Sequence, residues 1–289
     1  MSAFLYDSRE QTRFLCLFRD VVRARELMLD LVRKDLRARY RYAFMGFLWA
    51  VLEPVALMAV LTFVFNFVLG GDPAAAGRGA SGTPAAPYAV FLLCGLIFWQ
   101  FTANTIMTSV RCLIDNQNLV KKVYFAREAV PLAALGYPLV NLAIGFVLLL
   151  ALHLVLGGGI GIAMVWVPVL FAAQLLLTAG AALFLSCTNV LFRDIGYMAA
   201  VAVLFGFYAT PVFYPLELVL NSHKLPAIAK TLYLLNPMAE LLTAYRQALF
   251  ELRTPDLWLF AWPCASGALL FLLGAWTFRR LGPSLSDYL

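Results

Sequence analysis

Charge is scarce in this chain. Only 13% of its 289 residues are Asp, Glu, Lys or Arg, against 63% hydrophobic ones, and the charges cluster between long apolar runs. Soluble globular domains carry about 25% charged residues, so that class is excluded. Histidine is almost absent, with His153 and His223 standing alone. Cys16, Cys94, Cys112, Cys187 and Cys264 are scattered, without a Cys-x-x-Cys pair or a neighbouring His. They offer no metal site and read as small apolar side chains packed among helices. No Gly-x-x-x-x-Gly-Lys-Ser/Thr run occurs, so this chain has no phosphate-cradling loop with which to hydrolyse ATP. A nucleophile elbow and a His-Glu-x-x-His pair are also missing, and no residue takes a catalytic role. The apolar runs lack the central Asp, Glu, Lys or Arg that ion-coupled carriers use as relays, Glu53 being the exception. Such a chain is a pore or carrier driven by something else.

What is present is apolar length. A membrane-crossing helix needs about 20 apolar residues, because the hydrocarbon layer is roughly 30 Å thick and each residue advances about 1.5 Å. Six stretches qualify: 46–69, 88–110, 129–156, 160–191, 195–213 and 257–278. They are apolar all round, which argues against the alternating segments of a membrane barrel. The expected fold is an all-α integral membrane protein with six spanning helices. Residues 1–44 form a cytoplasmic amphipathic interface helix, and 45–289 form the membrane domain. The residues before Met45 are densely charged and lack the apolar core of a cleavable signal, so they are expected to belong to the mature protein.

Lys and Arg set the orientation, because they stay on the cytoplasmic side of short loops. Ten precede the first span, one lies in the first loop, four in the second, none in the third, one in the fourth, four in the fifth and two at the end. That distribution places both termini in the cytoplasm. The net charge of +6 is thus a topology signal and not the footprint of a nucleic-acid partner.

Between residues 9 and 42, Phe14, Phe18, Val21, Leu29, Val32 and Leu36 recur at roughly helical spacing among basic residues. This pattern lies in the membrane interface, apolar side in the acyl boundary and arginines toward lipid phosphates. The first outer loop, 70–87, is a Gly-, Ala- and Pro-rich tether, and Gly157-Gly158-Gly159 joins spans three and four in a tight hairpin. The second loop, 111–127, carries Leu113, Ile114, Leu119, Val120, Val123 and Tyr124 among Asp115, Asn116, Lys121 and Lys122. A two-turn amphipathic helix on the cytoplasmic face is expected there, offering a docking surface.

The fifth loop, 214–256, is too apolar for a connector and too interrupted for a span. Asn236-Pro237 is a helix start, Asn capping and Pro at the first helical position. Met238, Leu241, Leu242, Tyr245 and Leu249 then share one face, and a second short helix, 225–235, precedes them. The two either dip into the membrane, with their ends satisfied by protein or water, or lie flat on it; re-entry is preferred. Aromatic residues abound at Phe47, Trp49, Phe63, Phe65, Phe98, Trp99, Phe101, Phe205, Phe207, Tyr208, Phe213 and Tyr214. They serve as interface belt and lipid-facing surface, or as ring faces on which sugars stack. Glu53, beside Pro54, either orients a cytoplasmic gate or simply reaches the interface.

The run RARYRYAFMGFLWAVLEP (37–54) resembles the signature at the first span of membrane subunits of type-two ABC exporters of polysaccharides. NLVKKVYFAREAVP (118–131), FRDIGYM (192–198), ATPVFYPLELV (209–219) and NPMAELLTAYRQALF (236–250) follow in the order of that family. The chain thus resembles O-antigen, capsule and teichoic-acid export permeases. The resemblance implies a homodimer paired with two copies of a separate P-loop ATPase, which would bind ATP and magnesium while this chain binds no cofactor. It implies ATPase coupling through the interface helix and through Asn116, Leu119, Val120, Lys121, Lys122, Val123 and Tyr124. Spans one and five would line the conduit, with Trp49, Phe63, Phe205, Tyr208, Phe213 and Tyr214 facing it. Asn236, Pro237, Tyr245 and Arg246 would belong to the outer gate and Glu53 to the inner one. Arg37, Arg39 and Arg41 would guide the diphosphate of a lipid-linked polysaccharide. An exporter of small lipids or drugs shares this architecture. A membrane-embedded glycosyltransferase would need clustered acidic or metal-binding residues, and none are seen.

Overall fold

The computed structural model describes residues 23–41, 46–68, 87–122, 125–223, 225–282 and 285–288. Among these residues all regular structure is helical. The interface helix α1 is Arg25–Tyr40 and the first apolar helix α2 is Trp49–Phe63. A 3-10 turn, Gly46–Leu48, leads into α2, and a π-helical turn, Val64–Val68, follows it. Next come α3 (Tyr88–Asp115), α4 (Gln117–Lys122), α5 (Ala129–Ala133) and α6 (Gly136–Val155). A 3-10 turn, Ile162–Val165, opens α7 (Trp166–Leu191), followed by α8 (Ile195–Ala209) and α9 (Leu216–Leu220). The chain closes with α10 (Ala227–Leu234), α11 (Pro237–Leu249), α12 (Leu257–Leu281) and α13 (Leu285–Tyr288).

Four segments are long and apolar enough to cross a membrane: Tyr88–Asp115, Ala129–Val155, Ile162–Leu191 and Leu257–Leu281. Helices α2 and α8 are apolar but have only 15 residues each. At about 1.5 Å per residue each spans roughly 22 Å, less than the hydrocarbon layer. The flanking 3-10 and π turns lengthen α2; α8 starts after Arg193-Asp194 and stops where Thr210 turns extended, ahead of Pro211. The second span runs five residues beyond its expected end at 110. The third is two helices, because the chain turns between Ala133 and Gly136.

Helices α7 and α12 form the tightest pair. Gly180 and Gly274 face each other so closely that a Cβ on either would strike the other helix's backbone. With little hydrophobic drive between helices in lipid, small residues that let backbones meet supply the packing energy. Helix α3 lies against α7 and α6, and α11 fills the space among α3, α7 and α12. The main core gathers Leu92, Leu96, Phe98, Leu170, Leu241 and Tyr245, with Phe98 stacked on Tyr245 at 3.7 Å. A second core sits beside α1, where Leu31 meets Leu113, Val120, Val130, Leu183 and Phe278.

Helix α11 starts as its sequence dictates. The Asn236 side chain accepts from the Met238 N–H at 3.0 Å and Pro237 occupies the first turn. Met238, Leu241, Leu242, Tyr245 and Leu249 are all buried, but so is every residue from 238 to 249. Its apolar stripe is therefore half the story: α11 is enclosed by protein along its length. The glycine hairpin also forms, with Gly157 at φ +85°. His153 is buried beneath it, its Nε2 3.1 Å from the Gly159 carbonyl oxygen.

Candidate conduit and coupling elements

Helix α1 and the loop between α3 and α5 interlock. Val32 of α1 packs against Gly136, where a Cβ would collide with it, so α1 seats its apolar side partly on α5 and α6 rather than wholly on lipid. Leu29 stays exposed, Leu36 is half-buried, and Phe14, Phe18, Val21 and Cys16 lie outside the described residues. Lys34 Nζ donates to Asn116 Oδ1 at 2.6 Å, and Asn116 Nδ2 donates to the Cys112 carbonyl at 2.8 Å. Asn116 thereby caps the end of α3, opens α4 and ties both to α1. Beside Lys34, burial raises the Asp35 carboxyl above its ordinary pKa, against the pull of Lys34 and Arg39.

Helix α4 has two distinct sides. Val120 is only 2% exposed and belongs to the second core, with Leu119 partly buried against it. Gln117, Asn118, Lys121 and Lys122 are exposed and form the face open to a partner. Val123 and Tyr124 lie outside the described residues. Farther along the loop, an Arg127 guanidinium nitrogen donates to the Gly282 carbonyl, fastening this loop to the end of α12.

The opposite end is an aromatic knot. Phe213 touches Phe65, Phe207, Tyr208 and Tyr214. The Tyr88 hydroxyl donates to the Phe213 carbonyl at 3.0 Å, Tyr214 OH donates to the Tyr208 carbonyl at 2.8 Å, and Tyr233 OH donates to Tyr214 OH at 3.0 Å. The gate candidates join this knot from α11. Asn236 Nδ2 donates to Thr210 Oγ1 at 2.9 Å and to the Ala209 carbonyl at 3.2 Å. Arg246 donates to the Pro211 and Val212 carbonyls at 2.6 and 2.7 Å, and its guanidinium lies 3.5 Å over the Phe91 ring. Tyr245, fully buried, donates to Gln174 Oε1 at 2.9 Å. Pro237 sits half-buried at the head of α11. Asn236 and Arg246 thus clasp the end of α8 to α11, while Tyr245 faces the opposite way, into the core. The buried Arg246 also lightens the basic count of the fifth loop, since it is not a surface charge.

Between these ends, α8 stands apart. It packs on α3 and slightly on α7, and within it only Ala199 is buried. Tyr197, Val201, Leu204, Phe205 and Tyr208 are all more than half exposed, Phe205 at 70%. On α2, Trp49 and Phe63 are also more than half exposed, but they stand at opposite ends of the helix, about 20 Å apart along its axis. The structure thus gathers Tyr208, Phe213 and Tyr214 with the gate residues, leaves Phe205 on the open face, and separates Trp49 from the rest.

On α1, Arg37, Arg39 and Arg41 are exposed. Arg39 is held: its guanidinium donates to Tyr137 OH at 2.8 Å and lies 4.0 Å over that ring. One residue on, Tyr40 OH donates to Asn141 Oδ1 at 2.8 Å. Next to them, Glu53 and Pro54 of α2 line a cleft with Gln100 and Asn104 of α3 and Asn141 of α6. Several polar residues of consequence were missed in the sequence: Gln174, these amides, and Glu240, whose buried carboxyl oxygens have no hydrogen-bond partner among the described residues. The available signal was a single polar residue inside an apolar run, as in LFAAQLLLTAG.

A bundle of long apolar helices, with a basic helix packed on it, a short polar helix tied to that one and a helix buried before the last apolar segment, defines a multi-pass membrane protein. Residues 27–250 match the ABC-2 type transporter family, and the chain belongs to it. Among relatives, the O-antigen export system permease protein RfbA of Myxococcus xanthus is 33% identical over 245 residues, covering 83% of this chain and 86% of that one. An O-antigen export system permease protein RfbA of Klebsiella pneumoniae is 25% identical over 76% of this chain and 79% of its own length. The chain is thus similar to polysaccharide export permeases along most of its length.

Proposed function

We propose that this chain is the transmembrane subunit of an ATP-driven exporter that moves a lipid-linked polysaccharide across the bacterial inner membrane, with both termini in the cytoplasm. Two copies of the chain pair with two copies of a P-loop ATPase, which binds ATP and magnesium. The observation that carries the reading is the 33% identity, over most of both chains, to a protein named as an O-antigen export permease.

The geometry supplies a mechanism. ATPase closure presses on the exposed side of α4, at Gln117, Asn118, Lys121 and Lys122. Because Val120 is embedded in the second core and Asn116 is tied to Lys34, that push reaches α1 and the neighbouring ends of α3, α7 and α12 as one body. The open aromatic face of α8, with Phe205 and Tyr208, lines the conduit. Asn236 and Arg246 set the outer gate by holding the end of α8, and Glu53 sits at the inner gate. Arg37, Arg39 and Arg41 attract the substrate diphosphate.

The test is purification of the tagged chain from its native host in mild detergent, with the co-purifying proteins identified by mass spectrometry. A stoichiometric P-loop ATPase is expected; its reproducible absence would sink the ATP-driven reading. Export of small lipids or drugs instead of a glycan would show as altered drug sensitivity with normal surface glycan in a strain lacking the chain.

A further inference from the structure

The cleft among α2, α3 and α6 surrounds Glu53, assigned above to the inner gate, with amides that neither the gate nor the coupling contacts use. It is a shallow cleft open to its surroundings, about 360 Å³ when the solvent space at its mouth is included, lined by Glu53, Gln100, Asn104 and Asn141 together with Pro54 and Phe101. Four polar side chains from three apolar helices converge there. Only Asn141 has a side-chain partner, the Tyr40 hydroxyl; Glu53, Gln100 and Asn104 make no hydrogen bond among the described residues. Amides and a carboxylate left bare at membrane depth are expensive, and they persist where they face water or a polar ligand. The cleft also has a cationic rim. The last turn of α1 brings the Arg39 guanidinium onto Tyr137 and the Tyr40 hydroxyl onto Asn141, one helical turn apart on the side of α6 that lines the cleft. Arg39 feels the Asp35 carboxyl one turn back on α1 but makes no ion pair among the described residues, so its guanidinium can still take an anion.

A carboxylate and three amides inside, with a guanidinium at the mouth, make a complementary set. Amides donate to and accept from hydroxyls, the carboxylate accepts from them, and guanidinium pairs with phosphate oxygens. We infer that this cleft binds a phosphorylated, hydroxyl-rich lipid headgroup, its hydroxyls among Glu53, Gln100, Asn104 and Asn141 and its phosphate at Arg39. Two sources share that chemistry: the first sugar and diphosphate of the exported lipid, an assignment that rests on the proposed function, and a resident phospholipid with a polyol headgroup.

The experiment measures lipid retention by native mass spectrometry on the full chain in nanodiscs, with whatever subunits co-purify. Three probes are supplied: a polyprenyl diphosphate bearing one N-acetylhexosamine, phosphatidylglycerol, and phosphatidylcholine, which lacks hydroxyls. The double variant Q100L/N104L removes two hydrogen-bonding side chains; R39Q removes the rim cation together with its contact to Tyr137, and Y137F, which loses that hydrogen bond but keeps the cation, separates the two effects and should retain the lipid as wild type does. The expected result is about tenfold weaker retention of the glycosyl diphosphate lipid in Q100L/N104L and in R39Q, as for the loss of one to two hydrogen bonds, with phosphatidylcholine unchanged. The same loss confined to phosphatidylglycerol would keep the site and assign it to a resident phospholipid. Equal retention of all probes by wild type and R39Q, or equal loss of all three in both variants, would overturn the site. Failure of the exporter reading is seen separately, as a full surface glycan in cells lacking the chain.

Discussion

Replacing Arg246 with Met should loosen the clasp between α11 and the end of α8. The guanidinium serves the Pro211 and Val212 carbonyls at 2.6 and 2.7 Å and lies over Phe91. Methionine fills similar volume and leaves two buried carbonyls without donors, each costing about 1–3 kcal/mol. The lost cation–π contact adds about 2 kcal/mol when desolvated. Against this, a charge no longer has to be buried without a carboxylate, a relief of a few kcal/mol. The net is a local destabilisation of about 3 kcal/mol. Cys94 reports it: the thiol is fully buried, and its neighbour Gly95 lies where a Cβ would press on Arg246 and the Val212 carbonyl. In a chain with Cys94 as its single cysteine, a membrane-permeant maleimide labels only when this region opens. A penalty of about 3 kcal/mol should raise the labelling rate roughly 150-fold at 25 °C. Arg246→Lys, which keeps the charge but cannot fork across two carbonyls, should fall between. Labelling within threefold of wild type in the Met variant would refute the clasp.

Gly180→Leu should lower the thermal midpoint in detergent, because the α7–α12 contact has no room for a side chain and overpacking costs about 1–3 kcal/mol; an unchanged midpoint would mean the helices are not in backbone contact. Gln174→Leu and Tyr245→Phe should each destabilise modestly, and a double-mutant cycle in steric-trap or SDS unfolding should show coupling of about 0.6–1.5 kcal/mol; strict additivity would remove their hydrogen bond. Asn116→Ala should leave folding intact, since the bond from Lys34 and the cap on the Cys112 carbonyl together contribute about 1–3 kcal/mol, yet reduce transport per ATP hydrolysed; an unaltered ratio would free α1 from the coupling path. Val120→Glu should block assembly by burying a charge, seen as loss of the monodisperse chromatography peak, whereas Lys121→Glu with Lys122→Glu should assemble and fail to hold the ATPase.

The helical membrane fold was legible because hydrophobic length is a one-dimensional signal that lipid enforces. Asn236-Pro237 was equally plain, since a cap acts within three residues of itself. The enclosure of α11 was not, because its apolar stripe is what a half-buried helix also shows; only packing reveals that Glu240, Thr243 and Gln247 are covered as well. Val120 read as a docking residue since an apolar side chain on a polar loop has two destinations, a partner or the chain's own core, and sequence does not distinguish them. The resemblance placed Arg246 at the outer gate, but that it clasps the Pro211 and Val212 carbonyls was not legible, because their positions depend on how α8 ends. The cleft amides were invisible for a similar cause: Gln100 and Asn104 share a helix, but Glu53 and Asn141 reach them only through the tertiary packing of α2 and α6.

The central claim is export of a polysaccharide, and its most direct measurement is the glycan itself on both sides of the membrane. In a strain lacking this chain and in one complemented with it, surface polysaccharide and intracellular lipid-linked polysaccharide are quantified together. The account predicts loss of the surface polymer with accumulation of the lipid-linked form inside, both reversed by the wild-type chain. Normal surface polysaccharide with no internal accumulation would contradict it.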